Sequence, residues 1–132
     1  MSLLKLNMKE FKEPQPVMDG EYELILQGVS LRESEKGGKY LNAVLSVVAE
    51  GNAPLLYHIM SLPDGGEYDD IRGLSIKRFC ETFGIEEPEE GFSLDAEGNM
   101  IGVKNLRARA LVSTKESEEY GVKNVVKRWL KG

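Results

Sequence analysis

Between Asp19 and Gly51 the chain carries two long runs of alternating apolar and polar residues, separated by a short polar stretch. That pattern is the signature of a long β-hairpin, because side chains on a strand point to opposite faces in turn. The first strand is expected over Gly20–Leu31, the return over Arg32–Gly38 and the second strand over Lys39–Glu50. Tyr22, Leu24 and Leu26 share one face, with Glu21, Glu23 and Gln27 on the other. In the second strand Leu41, Ala43, Leu45, Val47 and Ala49 share a face. Both runs are rich in Val, Leu, Ile and Tyr, and Gly37-Gly38 supplies the backbone freedom of the return. The rest of the chain has to close this hairpin into something with a core.

A length of 132 residues suits one domain around one core, and 41% apolar with 30% charged residues is the make-up of a globular protein. No apolar run reaches the ~18 residues of a membrane-spanning helix, so no membrane partner is expected. The N-terminus lacks the apolar core of a signal peptide. Cys80 is the only cysteine, which excludes an internal disulfide and points to a reducing cytoplasm. One His and one Cys cannot assemble a usual zinc site within one subunit, so neither metal nor cofactor is expected.

Residues 1–18 read as an N-terminal arm, with a short amphipathic stretch followed by Pro14 and Pro16, and residues 19–132 as the domain. After a turn at Gly51–Pro54, a third strand is expected over Leu55–Leu62. A helix follows in YDDIRGLSIKRFCETFG, with Ile76, Phe79, Cys80 and Phe83 on one arc, joined by Tyr68 and Ile71. Asp69 or Asp70 favours its start and Gly84 its end. Leu94–Ile101 reads as a tight turn between short strands, Leu106–Ser113 as a strand, TKESEEYG as a loop and Val122–Leu130 as the last strand. The implied fold is all-β with one helix: a five- to six-stranded, OB-like antiparallel barrel with the helix between the third and fourth strands. Strand two is apolar on both faces, including Val44 and Val48, which points to a homodimer.

Three chemical patterns fail on inspection. Glu33–Lys39 lacks the first Gly of a phosphate loop, and Tyr40 stands where Ser or Thr would bind magnesium. Asp95–Asn99 begins like a calcium loop, but its Gly comes at the fourth position and Leu106 replaces the bidentate Glu. His58 lies in an apolar strand with no nucleophile or orienting carboxylate at a recognisable spacing, so no enzyme is expected. Cys80 reads as a core residue and Glu86–Glu90 as a solvated loop.

Charge is distributed unevenly. Residues 1–100 hold 9 Lys and Arg against 19 Asp and Glu, whereas residues 101–132 hold 8 against 3, a local charge of +5 in a chain of −5 overall. Such asymmetry is a hint of a polyanion-binding face; the competing reading is two ordinary solvated strand faces. In the last strand Lys123, Val125, Lys127 and Trp129 fall in one phase, which places Trp129 among lysines. The competing reading for Trp129 is a ring covering the barrel end. Tyr40 beside Lys39, Tyr57 in the third strand and Trp129 beside Arg128 are thereby candidate stacking residues. Lys36 and Lys39 at the hairpin tip, with Arg107, Arg109, Lys123 and Lys127, are candidate phosphate contacts.

Four motifs carry a resemblance: G-x-Y-x-L-x-L opening the first strand, K-G-G-K-Y-L entering the second, F-x-x-T-F-G-I ending the helix, and the basic G-V-K-N-V-V-K-R. Together they resemble small phage-encoded single-stranded DNA-binding proteins with an OB fold, over nearly the whole chain. The resemblance implies sequence-independent binding of single-stranded DNA in phage replication or recombination, in the bacterial host cytoplasm, with replication or recombination proteins as partners. Unlike bacterial single-strand binders the sequence ends basic, in KRWLKG, so recruitment through an acidic tail is not expected. The alternative expectation is a phage structural or regulatory β-sandwich that binds protein. Pairing of the C-terminal cations with Glu116, Glu118 and Glu119 would favour it.

Overall fold

The structure is a computed structural model that describes residues 2–10, 15–49, 53–117 and 121–130. Five strands form one antiparallel sheet: β1 (Gly20–Glu33), β2 (Lys39–Val47), β3 (Leu56–Ser61), β4 (Arg107–Ser117) and β5 (Gly121–Leu130). Their order across the sheet is β3-β2-β1-β4-β5. One helix, α1 (Asp69–Phe83), lies between β3 and β4 in the chain.

The length of β1 organises the sheet. Its second half, Leu24–Glu33, pairs with β2, and its first half, Gly20–Ile25, pairs with β4. Between Leu26 and Gly28 the register slips, leaving Gln27 as an extra residue. A bulge of this kind bends and twists its strand, and here it sits where β1 passes from one partner to the other. It also resets the phase, so that Leu24 and Leu26 before it and Val29 after it all face inward and are buried. The sheet curls until its edge strands, β3 and β5, touch, but no hydrogen-bonded ladder joins them, so the sheet is not closed.

The core fills the concave side. Leu24, Leu26, Ala43, Leu45, Leu56, Met60, Phe79, Ala110 and Val112 are fully or almost fully buried. Leu41, Val47 and Phe83 are buried too, and Ala108 and Tyr22 pack against them. The helix enters this core by its C-terminal half and packs against β3, β4 and β5. Gly84 ends it in the left-handed conformation at φ 73°, donating to the carbonyls of Cys80 and Glu81. Tyr68 and Ile71, expected on the inner arc, are instead exposed. At about 100° per residue Ile71 lies roughly 80° or more round the helix from Ile76, Phe79, Cys80 and Phe83, and Tyr68 only caps the first turn.

Two further expectations are corrected. Leu94–Ile101 is a turn closed by a single bridge, Leu94 to Met100, and adds no sixth strand. It docks on the edge of β1 that β4 leaves free, where Leu31 N–H donates to Gly98 O at 2.8 Å and Met100 N–H to Val29 O at 2.8 Å. Gly98 is at φ +85°, and a Cβ there would come within 3.1 Å of the Leu31 carbonyl, so the close approach needs glycine. β4 also continues through Ser117 instead of ending at Ser113, paired as far as Ser117–Gly121. Its polar end is held by Asp19, whose carboxylate accepts from the Thr114 N–H (2.8 Å) and hydroxyl (3.1 Å). The end of the arm is fastened by Asn124: its Oδ1 accepts from Val17 N–H at 2.8 Å and its Nδ2 donates to Val17 O at 2.9 Å. Asn124 is buried, and its side-chain amide stands in for a strand partner.

Candidate nucleic-acid interface

The convex face of the sheet is set by the ladder pairs that point away from the core. Across β3, β2 and β1 these read Ser61–Tyr40–Arg32, then Ile59–Asn42–Ser30, then Tyr57–Val44–Gly28. Tyr57 is 58% exposed and Ile59 62% exposed, while Tyr40 is half-buried. The three rows contain two tyrosines and an arginine but no carboxylate. Lys36 and Lys39, both exposed, stand at the hairpin that ends this face. Arg32 hydrogen-bonds Ser30 through Nε at 3.1 Å, which leaves its terminal nitrogens directed at no described carboxylate. Asn42 Oδ1 is buried among these rows without a hydrogen-bond partner.

Further round, the face changes character. Arg109 Nε donates to Glu21 Oε1 at 2.8 Å, and Arg107 lies 3.9 Å from Glu23. The pairing holds Arg109 above its ordinary pKa. Exposed pairs of this kind add little stability, but each cancels a cation the sequence had offered to phosphate. The cancelling carboxylates are on β1; Glu118 and Glu119 lie outside the described residues. At the far end of the β4–β5 hairpin, Lys115 and Lys123 oppose one another directly in the ladder. Like charges so placed repel, and a bound anion would relieve them.

Trp129 is not where alternation places it. Val112 pairs with Val126 and Leu111 with Arg128, so Lys127 is one residue too many in β5. This second bulge turns Trp129 inward opposite Ala110, away from Lys123. Its ring meets His58, Phe79 and Phe83 edge-on, with centroids 5.2, 5.6 and 5.3 Å away. His58 is the polar member of this cluster. Burial pushes its imidazole pKa down, and its Nε2 has no hydrogen-bond partner. Its ring packs between Phe79 and Trp129, and among the described residues no carboxylate hydrogen-bonds it. Cys80 is half-buried, and burial, then Glu87 and Glu81, push its thiol pKa up, away from nucleophilic use.

The sequence matches no known family model and no curated protein.

The nine candidate residues therefore separate into five places. Tyr40 and Tyr57 share the convex face of β2–β3, while Lys36 and Lys39 stand at the β1–β2 hairpin, Lys39 in phase with Leu41 and opposite Glu33. Arg107 and Arg109 lie on the convex face beyond β1, already paired. Lys123 stands at the β4–β5 hairpin. Lys127 faces a groove of about 1120 Å³ between α1 and β5, beside Lys77, Arg78 and Arg128, with Trp129 in its wall. Sequence reasoning missed Arg32, Asn42 and Ile59 on the convex face. The period-two count could have found Asn42 and Ile59, since each lies two residues from a chosen tyrosine. Arg32 needed the strand to run on past Leu31. Among the described residues no three His, Cys, Asp or Glu side chains cluster to hold a metal, and no helix is long and apolar enough to cross a membrane.

Proposed function

We propose that the protein binds single-stranded DNA without sequence preference, on the convex face of β2 and β3. The observation that carries this reading is the platform of Tyr40, Tyr57 and Ile59, whose three ladder rows include Arg32 and no carboxylate, with Lys36 and Lys39 at the adjoining hairpin. Bases stack on exposed aromatic rings whatever their identity, while cations at the border neutralise phosphates. The finer fold reading belongs with it: an OB-like barrel, open at the β3–β5 seam. The strand order, the bent β1 and the helix covering one end suit that barrel, whose strand 2–3 face and flanking hairpins take oligonucleotides. Here the flanking hairpins would offer Lys36 and Lys39 on one side and Lys115 and Lys123 on the other. A role in phage replication or recombination, in the host cytoplasm, rests on the motif resemblance.

A second reading, a protein-binding module, draws on two observations. Arg107 and Arg109 are neutralised by Glu23 and Glu21, and Leu55, Tyr57 and Ile59 leave an apolar strip along β3. Fluorescence anisotropy with labelled oligo(dT) and a duplex of equal length, at low salt, separates the two. The DNA reading expects oligo(dT) to bind better than duplex, and Tyr57→Ala to weaken it by about 1–3 kcal/mol, roughly 5- to 150-fold. Absence of oligo(dT) binding at low salt, or equal affinity of the Tyr57→Ala variant, would sink it.

A further inference from the structure

Two apolar features have no partner among the described residues. The first is a pocket of about 690 Å³ between α1, the hairpin ends of β1 and β2, and the segment after the helix. Leu31, Leu41, Ile76, Cys80, Ile85 and Phe92 are among the apolar residues of its wall. The second is the N-terminal arm. Leu3, Leu4, Leu6 and Met8 are 91%, 84%, 53% and 69% exposed, four large apolar side chains within six residues. Leaving that much apolar surface in water is costly, about 1.5–3 kcal/mol per side chain, and contiguous exposed apolar surface marks an interaction site.

We propose that the arm of one copy docks in this pocket of a second copy, and that the exchange is reciprocal, giving a two-fold dimer. Charge complements shape. From Leu3 to Lys9 the arm carries Lys5 and Lys9 and no carboxylate. Glu81 and Glu87 line the pocket, and Glu86, Glu89 and Glu90 are exposed on the adjoining loop. The one cation in the lining, Lys77, is already 3.9 Å from Glu81.

The course of the arm favours a second copy over its own pocket. The arm is tied down at Val17, beside Asn124. The pocket lies towards the other end of β1, near Leu31. In the single chain Leu3, Leu4, Leu6 and Met8 are exposed and none of them lines the pocket, whereas a second copy can approach it from any side.

Cys80 in the pocket wall provides the test, because it is the only cysteine. In the full chain bearing Leu4→Cys, diamide should join the new thiol to Cys80 of a second chain, taking up the two electrons and two protons released. A reducible dimer on a denaturing gel is expected, lost when Cys80→Ser is added. A Glu35→Cys control at the exposed hairpin tip should link far less. A compact, internally linked monomer would overturn the proposal, as would linking no stronger than in the control. Sedimentation without oxidant gives the second readout. The native chain should self-associate, and Leu4→Ser with Leu6→Ser should weaken association at least about tenfold, since both side chains are exposed in the single chain and do not hold the fold. A native chain that stays monomeric, or a dimer indifferent to the double substitution, would also overturn it. No arm of this test involves DNA, so it stands or falls apart from the binding reading.

Discussion

Replacing Trp129 by alanine removes the centre of the ring cluster that seals α1 against β3 and β5. Truncating a buried Trp costs about 3–5 kcal/mol, through lost burial and the cavity left behind. Trp129 is only partly buried, so part of that loss is spared. Against this, three edge-on contacts go at once, each worth about 0.5–1.5 kcal/mol. The net expectation is about 2–4 kcal/mol. In a domain of this size 1 kcal/mol moves the melting midpoint by about 3–5 °C, so far-UV circular dichroism should record a fall of roughly 6–20 °C. Trp129→Phe, which keeps an aromatic ring, should recover most of it. Because Trp129 is the only Trp, its emission also reports on one place, and saturating oligo(dT) should change it little. An unchanged midpoint combined with lost oligo(dT) affinity would refute the reasoning, since it would put Trp129 on the surface as a stacking platform.

Two more consequences follow from the same cluster. Burial lowers the pKa of His58 in the fold, whereas in the unfolded chain it protonates at its ordinary pKa of about 6.5. Below that pH the unfolded state binds more protons, so stability is complete above about pH 6.5 and declines as pH falls towards the folded pKa, by at most about 1.4 kcal/mol per pH unit. His58→Phe should flatten this stretch of the stability–pH curve, and an identical slope in both proteins would show the imidazole to be solvated. Deleting a residue from a strand normally turns half of it inside out, but Lys127 is already surplus to the ladder. Its deletion should leave Trp129 inward, with unshifted emission and a smaller fall in midpoint than Trp129→Ala; red-shifted emission would contradict the register.

The two bulges mark where period-two reading of this chain stops working. Up to Leu26 in β1, and throughout β2, alternation alone places Leu24, Leu26, Leu41, Leu45 and Val47 in the core, where they are. The glycine stop at Gly84 and the seating of Phe79 and Phe83 were legible for the same reason, since local geometry decides them. A bulge leaves no such trace, because Gln27 and Lys127 are ordinary polar strand residues whose displacement depends on the partner strand. One unseen residue in β5 was enough to exchange Trp129 between the surface and the core. The continuation of β4 through Thr114–Ser117 was hidden likewise, because it rests on Asp19, 95 residues away.

Charge was the least legible property, since pairing across strands joins residues distant in sequence: Arg109 and Glu21 are 88 positions apart. Counted along the chain, Lys36, Lys39, Arg107, Arg109, Lys123 and Lys127 would all neutralise phosphate. In the fold, Arg107 and Arg109 are taken by Glu23 and Glu21, and Lys127 faces the groove beside α1. The cations left for DNA in the proposed reading are Arg32, Lys36 and Lys39 at the β1–β2 hairpin and Lys115 and Lys123 at the β4–β5 hairpin. Each phosphate neutralised on a single strand contributes about −0.7 to the slope of log K against log salt. Five cations therefore cap the slope near −3.5. Admitting Arg107, Arg109 and Lys127 would carry it to about −5.6. Anisotropy titrations of oligo(dT) across a salt series distinguish these values. Arg107→Ala should leave the slope unchanged, whereas Lys39→Ala should flatten it by about 0.7. A slope near −5.6 in the native protein, or an Arg107→Ala variant that flattens it, would mean that the Arg–Glu pairs open when DNA binds and that the paired face belongs to the site.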